Sequence, residues 1–319
     1  MVEVDYEGEY SIRTVNLWKI YSNGIQAVRG INLTVGVREI FGLLGPNGAG
    51  KTTTLRMIMG LLLPTRGKIY VWGRDVTKNP IIVRKYIGYV PQFFSLYSDL
   101  TVFENLKFYA KLYGLRSGEI LERIKYVIDV VGIRRYKDVL AGNLSGGFKR
   151  RLELAAALIH DPPILILDEP TAGVDPPVRR GFWRLFRDLR NEGKIILVTT
   201  HYMDEAENCD RLALISYGEI IAEGKPREIK RMTYGGDVIR LRVKNACMKA
   251  LEGLPIRMLD IIEGDNYVEI RAIVDDYATR VPEIVESLRN KNIEVLLIEQ
   301  VPVTLEDAFI KLVEEGDGA

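Results

Sequence analysis

The sequence predicts an α/β core that carries a helical insertion, with a small α+β domain behind it. Three observations lead there. Up to about residue 223, short apolar or β-branched runs at 39–44, 164–167, 195–199 and 211–216 alternate with longer helical patterns. That alternation reads as an α/β fold with a mostly parallel sheet. Between about 101 and 160 such runs stop, and apolar residues recur at helical spacing, as at Val102, Leu106, Tyr109, Leu112 and Tyr113. From 238 a second alternation begins: a strand over 238–243, a helix over 246–254, strands over 256–262 and 267–273, a helix over 278–290 and a strand over 293–299. This βαββαβ order is ferredoxin-like. A closing amphipathic helix is expected over 305–313, with Thr304 as its N-cap.

The chain has 319 residues, 47% hydrophobic and 27% charged, enough for two domains with substantial cores. The boundary is expected where Thr233-Tyr-Gly-Gly-Asp interrupts the pattern, giving a first domain over 1–230, with its helical part at about 93–160, and a second over 238–319. Lys and Arg number 44 against 43 Asp and Glu, a formal net charge of +1, so no basic footprint for nucleic acid is expected. Cys209 and Cys247 show no paired spacing, and the acidic, polar N-terminus is unlike a signal peptide, so a reduced cytosolic setting is expected. No apolar run approaches the ~20 residues that cross a bilayer.

Gly45-Pro46-Asn47-Gly48-Ala49-Gly50-Lys51-Thr52 fits the phosphate-loop pattern G-x-x-x-x-G-K-[ST]. It follows the run at 39–44 and precedes a helix expected over 51–59, which is the context the motif needs. Glycines at 45, 48 and 50 let backbone N–H groups turn inward on phosphates, and the helix N-terminus adds partial positive charge. Lys51 would reach the β- and γ-phosphates and the Thr52 hydroxyl would ligate Mg²⁺. Thr53, next on the helix, completes the candidate nucleotide-binding set. The buried run at 164–167 ends in Asp168 and Glu169. Paired with a phosphate loop, Asp168 can hold the Mg²⁺ and Glu169 can act as general base toward water.

Leu144-Ser145-Gly146-Gly147 lies between these motifs and opens a helix. With it the sequence resembles the ABC ATPase family over residues from about 10 to 225. The resemblance implies that this quartet is the signature that meets ATP held on the opposite subunit's phosphate loop. It also implies roles for other positions. Tyr21 matches the aromatic that stacks on adenine, with Trp18 as the alternative. Gln92 matches the glutamine that senses Mg²⁺ and the attacking water. Asp175 matches the loop that crosses to the partner, and His201 the histidine on the γ-phosphate. His160, the only other histidine, reads as a helix-end residue without a catalytic role. Two positions depart from the family: Phe148 stands where glutamine is common, and Val174 where leucine is usual.

A closer resemblance is to the exporter branch exemplified by daunorubicin-resistance ATPase subunits. It rests on Phe148-Lys-Arg-Arg-Leu-Glu-Leu, His201-Tyr-Met-Asp-Glu-Ala-Glu and Thr304-Leu-Glu-Asp-Ala-Phe. It implies an Mg²⁺-ATP-hydrolysing subunit that works as a homodimer, or pairs with a related ATPase subunit. Separate polytopic membrane permease subunits would hold it peripherally on the cytoplasmic face. A soluble ATPase acting on DNA or ribosomes is the competing reading. Against it, only residues 93–143 separate Gln92 from Leu144, with no sustained heptads and a single phosphate loop. The region 238–319 reads as a dimer-stabilising or partner-contacting module, or else as a ligand-binding one.

Overall fold

The computed structural model describes residues 10–244, 251, 253–264 and 266–317. The chain divides into two compact units between Gly224 and Lys225. The centre of the first is a six-stranded sheet. Its strands are β3 (Ile40–Leu44), β6 (Ile87–Val90), β7 (Ile164–Asp168), β8 (Ile195–Thr200), β9 (Arg211–Ser216) and β10 (Glu219–Gly224), in the order β10-β9-β3-β8-β7-β6. All neighbours are parallel except β10, which returns antiparallel along β9. Every residue of β3, β7 and β8 is buried, as expected of parallel strands covered on both faces. Helix α1 (Lys51–Ile58) packs on the β7 side of this core, and α5 (Pro176–Asn191) lays Phe182, Trp183, Phe186 and Leu189 against β3 and β8.

A second sheet in this unit departs from the simple alternation. Strands β1 (Tyr10–Ile20), β2 (Gln26–Gly36), β4 (Arg66–Val71) and β5 (Arg74–Asp75) form an antiparallel layer in the order β2-β1-β4-β5. The β1–β2 pairing carries register shifts around Thr14–Leu17 and Leu17–Ile20, with Asn16 in the left-handed region at φ 45°. Such bulges break strict two-residue alternation, which hides a strand from periodicity.

The helical insertion comprises α2 (Val102–Leu112), α3 (Ser117–Val130) and α4 (Gly146–Leu158). Thr101 and Glu104 form a capping box at the start of α2. Helices α3 and α4 cap each other's C-termini. Arg123 of α3 donates to the carbonyls of Leu158 (2.7 Å) and Ile159 (3.0 Å), and Arg151 of α4 donates to the Val131 carbonyl. These bonds satisfy carbonyls that helix ends otherwise leave orphaned.

In the second unit, α7 (Pro226–Tyr234) precedes β11 (Asp237–Lys244), β12 (Arg257–Glu263), β13 (Tyr267–Val274), α8 (Tyr277–Asn290), β14 (Val295–Gln300) and α9 (Leu305–Asp317), the short α6 (Met203–Ala206) lying upstream. The sheet runs β12-β13-β11-β14 and is antiparallel throughout. Ile239, Leu241, Val243, Ile270, Ala272, Ile284 and Leu288 make its core. The helix expected over 246–254 falls mostly outside the described residues. Thr304 does cap α9, exchanging bonds with Asp307 through both backbone and side chain. Helix α7 packs on α9 and β11, so the division at 224/225 lies ahead of the 230–237 boundary that the sequence suggested.

Candidate functional site

The glycine-rich loop leaves β3 and enters α1 at Lys51. Gly50 occupies the N-cap position at φ 106°, and a Cβ there would sit 2.3 Å from the Ala27 carbonyl oxygen. A Cβ on Gly45 would lie 2.1 Å from the Ile215 carbonyl oxygen, so the loop's entry fits only glycine beside β9. The loop borders a cavity of about 280 Å³ lined by Asn47, Gly48, Gly50, Lys51, Thr52, Thr53, Ala27, Gln92 and Glu169. Lys51 is buried, and its Nζ donates to the carbonyls of Gly45 (2.6 Å) and Pro46 (3.0 Å). Burial pushes its pKa down, while Glu169 and Asp168 pull it back up. Glu169 Oε1 lies 3.7 Å from this ammonium.

Asp168 and Glu169 arrive at the tip of β7, where Asp168 is in register with Thr199 of β8. Thr199 Oγ1 donates to Asp168 Oδ1 at 2.6 Å and accepts from the Glu169 N–H at 3.0 Å. Thr52 Oγ1 stands 3.3 Å from Asp168 Oδ1, so the first turn of α1 and the end of β7 present two oxygens to one point. Glu169 has φ 48°, a left-handed conformation unusual for a residue with a side chain. The Thr199 carbonyl and hydroxyl oxygens hold its N–H there, and strain of this kind gathers at functional sites. Its carboxylate turns back toward the phosphate loop. Oε2 is shared by Gln92 Nε2 and His201 Nδ1, each at 3.1 Å. Gln92, just beyond β6, and His201, just beyond β8, thus converge on one carboxylate oxygen.

Tyr21 Oη lies 3.3 Å from Thr53 Oγ1, at the edge of the loop. Trp18 instead gives its indole N–H to Asn16 Oδ1 at 2.8 Å. Leu144, Ser145, Gly147 and Asp175 do not line the phosphate-loop cavity. Ser145 is the N-cap residue of α4 without capping it through its hydroxyl, and a Cβ on Gly146 would meet nothing within 4 Å. Asp175 stands at the N-cap of α5, before Pro176. The Leu144–Gly147 quartet therefore stands outside its own chain's phosphate-loop cavity. Phe148 points into the helical insertion, its ring 4.2 Å from that of Tyr136. His160 stacks on Tyr113 at 3.7 Å and 7°. Sequence reasoning missed Thr199, which braces both acids; a threonine at a strand end carries no signal of its own.

A glycine-built phosphate loop after β3, facing the acid-tipped β7 one strand removed across β8, defines a P-loop nucleoside-triphosphatase. The ABC transporter family pattern matches residues 28–172. The Nod factor export ATP-binding protein I of Rhizobium sp. (strain N33) is 39% identical over 89% of this chain and 91% of its own length. The chain is thus a member of the ATP-binding proteins of ABC transporters, an ABC ATPase. The Escherichia coli protein named "Probable multidrug ABC transporter ATP-binding protein YbhF" is 45% identical over 70% of this chain, which spans 38% of that relative's length. Among solved structures, the dimeric, post-hydrolysis ATP-binding cassette MJ0796 bound to ADP and Pi matches with a TM-score of 0.62 and 28% identity, covering 67% of this chain and 98% of that one.

Proposed function

We propose that the chain powers an exporter: two copies, or one copy and a related subunit, close around ATP and drive separate membrane permease subunits from the cytoplasmic face. The observation that carries this reading is the gathering of Gln92, His201 and Lys51 around the Glu169 carboxylate while Ser145 and Gly146 lie outside the cavity of their own loop. One chain then holds the base and phosphate loop, and a second supplies the signature. Export is supported by the names of the relatives above. No helix among the described residues is long and apolar enough to cross a membrane, so the pore belongs to other chains in this reading.

Tyr21 stacks on adenine in this proposal, and the N–H groups of residues 47–53 with Lys51 hold the phosphates. Thr52, Asp168 and Gln92 offer hard oxygens suited to Mg²⁺, which takes few protein ligands beside phosphate oxygens and waters. Among the described residues no cluster of three or more His, Cys, Asp or Glu side chains forms an all-protein cage, and the site fits a cation that arrives with its nucleotide. The Mg²⁺ supplies charge neutralisation at the phosphates. Glu169 accepts a proton from the attacking water, with Gln92 and His201 fixing its rotamer. The second unit, read as a ferredoxin-like accessory domain, supports assembly rather than chemistry.

Glu169→Gln tests this. The amide cannot take the proton, so hydrolysis should fall about 10²–10⁴-fold, the usual worth of a positioned base. ATP binding should persist, and size-exclusion chromatography with Mg²⁺-ATP should show a stable dimer. Hydrolysis near the wild-type rate would remove Glu169 from the base role.

A further inference from the structure

The signature helix is tied to the backbone that carries Gln92. Arg150 stands four residues, about one turn, beyond Gly146 on α4. Its Nη1 donates to the Pro91 carbonyl at 2.7 Å, and its Nη2 donates to the Gln92 carbonyl. The same Nη1 donates to Glu153 Oε2 at 2.9 Å, and Glu153 Oε1 accepts from the Ser95 N–H at 3.0 Å. Both side chains are sequestered, 11% exposed for Arg150 and 1% for Glu153. The pair therefore grips the chain on both sides of Gln92, at 91–92 and at 95. Gln92 in turn gives its amide to the Glu169 carboxylate at 3.1 Å.

A buried ion pair is poor value as a stabiliser. Apolar residues of similar volume often do as well or better, because desolvating two charges offsets their attraction. What an apolar pair cannot do is hold three backbone groups at fixed positions. The guanidinium fork reaches two carbonyls and a carboxylate at once, which a lysine's single ammonium does less well.

We infer that Arg150 and Glu153 are positioning residues for hydrolysis: they lock the signature helix to the Gln92 backbone, so that the seating of α4 sets the placement of the Gln92 amide on Glu169 within the same subunit. This rests on the proposed roles of Glu169 and Gln92. It adds a direct route by which engagement of the signature at one ATP is felt at the other ATP, held by the same chain.

The test is a mutant cycle on the full-length protein, read as kcat and KM for ATP, with thermal unfolding of each variant. Arg150→Met/Glu153→Leu keeps volume and removes the charges together, which protects the fold. The expected result is an unfolding temperature close to wild type, kcat lowered roughly 10–100-fold and KM within about threefold. Arg150→Lys should fall between this variant and wild type. Placing the double change on a Gln92→Ala background should add little further loss, because the pair acts through Gln92; independent contributions would multiply. A wild-type kcat in the double variant, or full multiplication of the two losses, overturns the inference. Glu169→Gln, run alongside, separates the two claims. If Glu169→Gln is inactive and the Arg150/Glu153 variant is not impaired, only the positioning claim fails. If Glu169→Gln hydrolyses normally, the underlying reading fails with it.

Discussion

Phe148 stands where the family commonly has a polar residue beside the partner's nucleotide, yet its ring packs on Tyr136 at 4.2 Å with a 40° tilt. The contact predicts a stability cost and little catalytic cost for its loss. An aromatic pair contributes about 0.5–1.5 kcal/mol beyond its buried area. Truncating a fully buried phenylalanine costs about 3–5 kcal/mol, and Phe148 is only partly buried. Phe148→Ala should therefore cost on the order of 2 kcal/mol, or roughly 4–8 °C in the melting of a domain of this size. Phe148→Gln should cost somewhat less, since its methylenes still cover part of Tyr136. Steady-state hydrolysis of both, measured well below the transition, should stay within about threefold of wild type. The Ser145, Gly146 and Gly147 backbone does not depend on the ring. An activity loss near a hundredfold, ~2.7 kcal/mol in activation free energy, with the melting temperature unchanged, would show that Phe148 meets nucleotide and refute the packing argument.

Two further outcomes are expected. Burial beside Tyr113 pushes the His160 pKa from 6.5 to about 4, so the neutral ring favours the folded state. That contribution is complete above about pH 6.5 and is lost as pH falls toward 4. It is on the order of 1–3 kcal/mol, and His160→Phe should flatten the pH dependence of the melting temperature in this window by a corresponding amount; an unchanged pH profile would count against it. Ending the chain after Gly224 should leave ATP binding intact, measured by a fluorescent nucleotide. Ending it after Gly235 should give a less soluble product, since α7 keeps Ile229 but loses α9 and β11; equal solubility would contradict the assignment of α7 to the second unit.

The phosphate-loop motif and the acid-ended strand are legible in the sequence because their spacing is dense and local. Gly45–Thr52 and the run ending at Asp168 and Glu169 each declare themselves within a few residues, flanked by the right elements. The convergence on Glu169 Oε2 was implied only by family resemblance for Gln92 and His201, since nothing in a lone glutamine or histidine points across the sheet. The antiparallel layer β2-β1-β4-β5 escaped because bulges interrupt its alternation. Arg150 and Glu153 escaped because their partners are mainly backbone groups 58 and 59 residues away, and a backbone carbonyl leaves no mark in a sequence. The allegiance of α7 was hidden because Gly235 and Gly236 punctuate the chain after the helix, whereas the unit begins before it.

The central claim is that each ATP lies between the phosphate loop of one chain and the signature of another. Each helix N-terminus carries only about half a charge, so two converging on one triphosphate is a sound arrangement. Lys51→Ala spoils a site from the nucleotide-holding side, and Ser145→Arg spoils it from across the interface. Each homodimer has two defective sites and should be nearly inactive. A heterodimer of the two, purified through different tags, contains one site with both lesions and one with none. Its ATPase rate is the most direct measurement. A shared site predicts activity well above either parent, up to about half of wild type when single sites turn over independently. A rate no higher than the parents would contradict a shared site that works singly, whereas a site contained within one subunit could not yield recovery, because each chain carries a lesion.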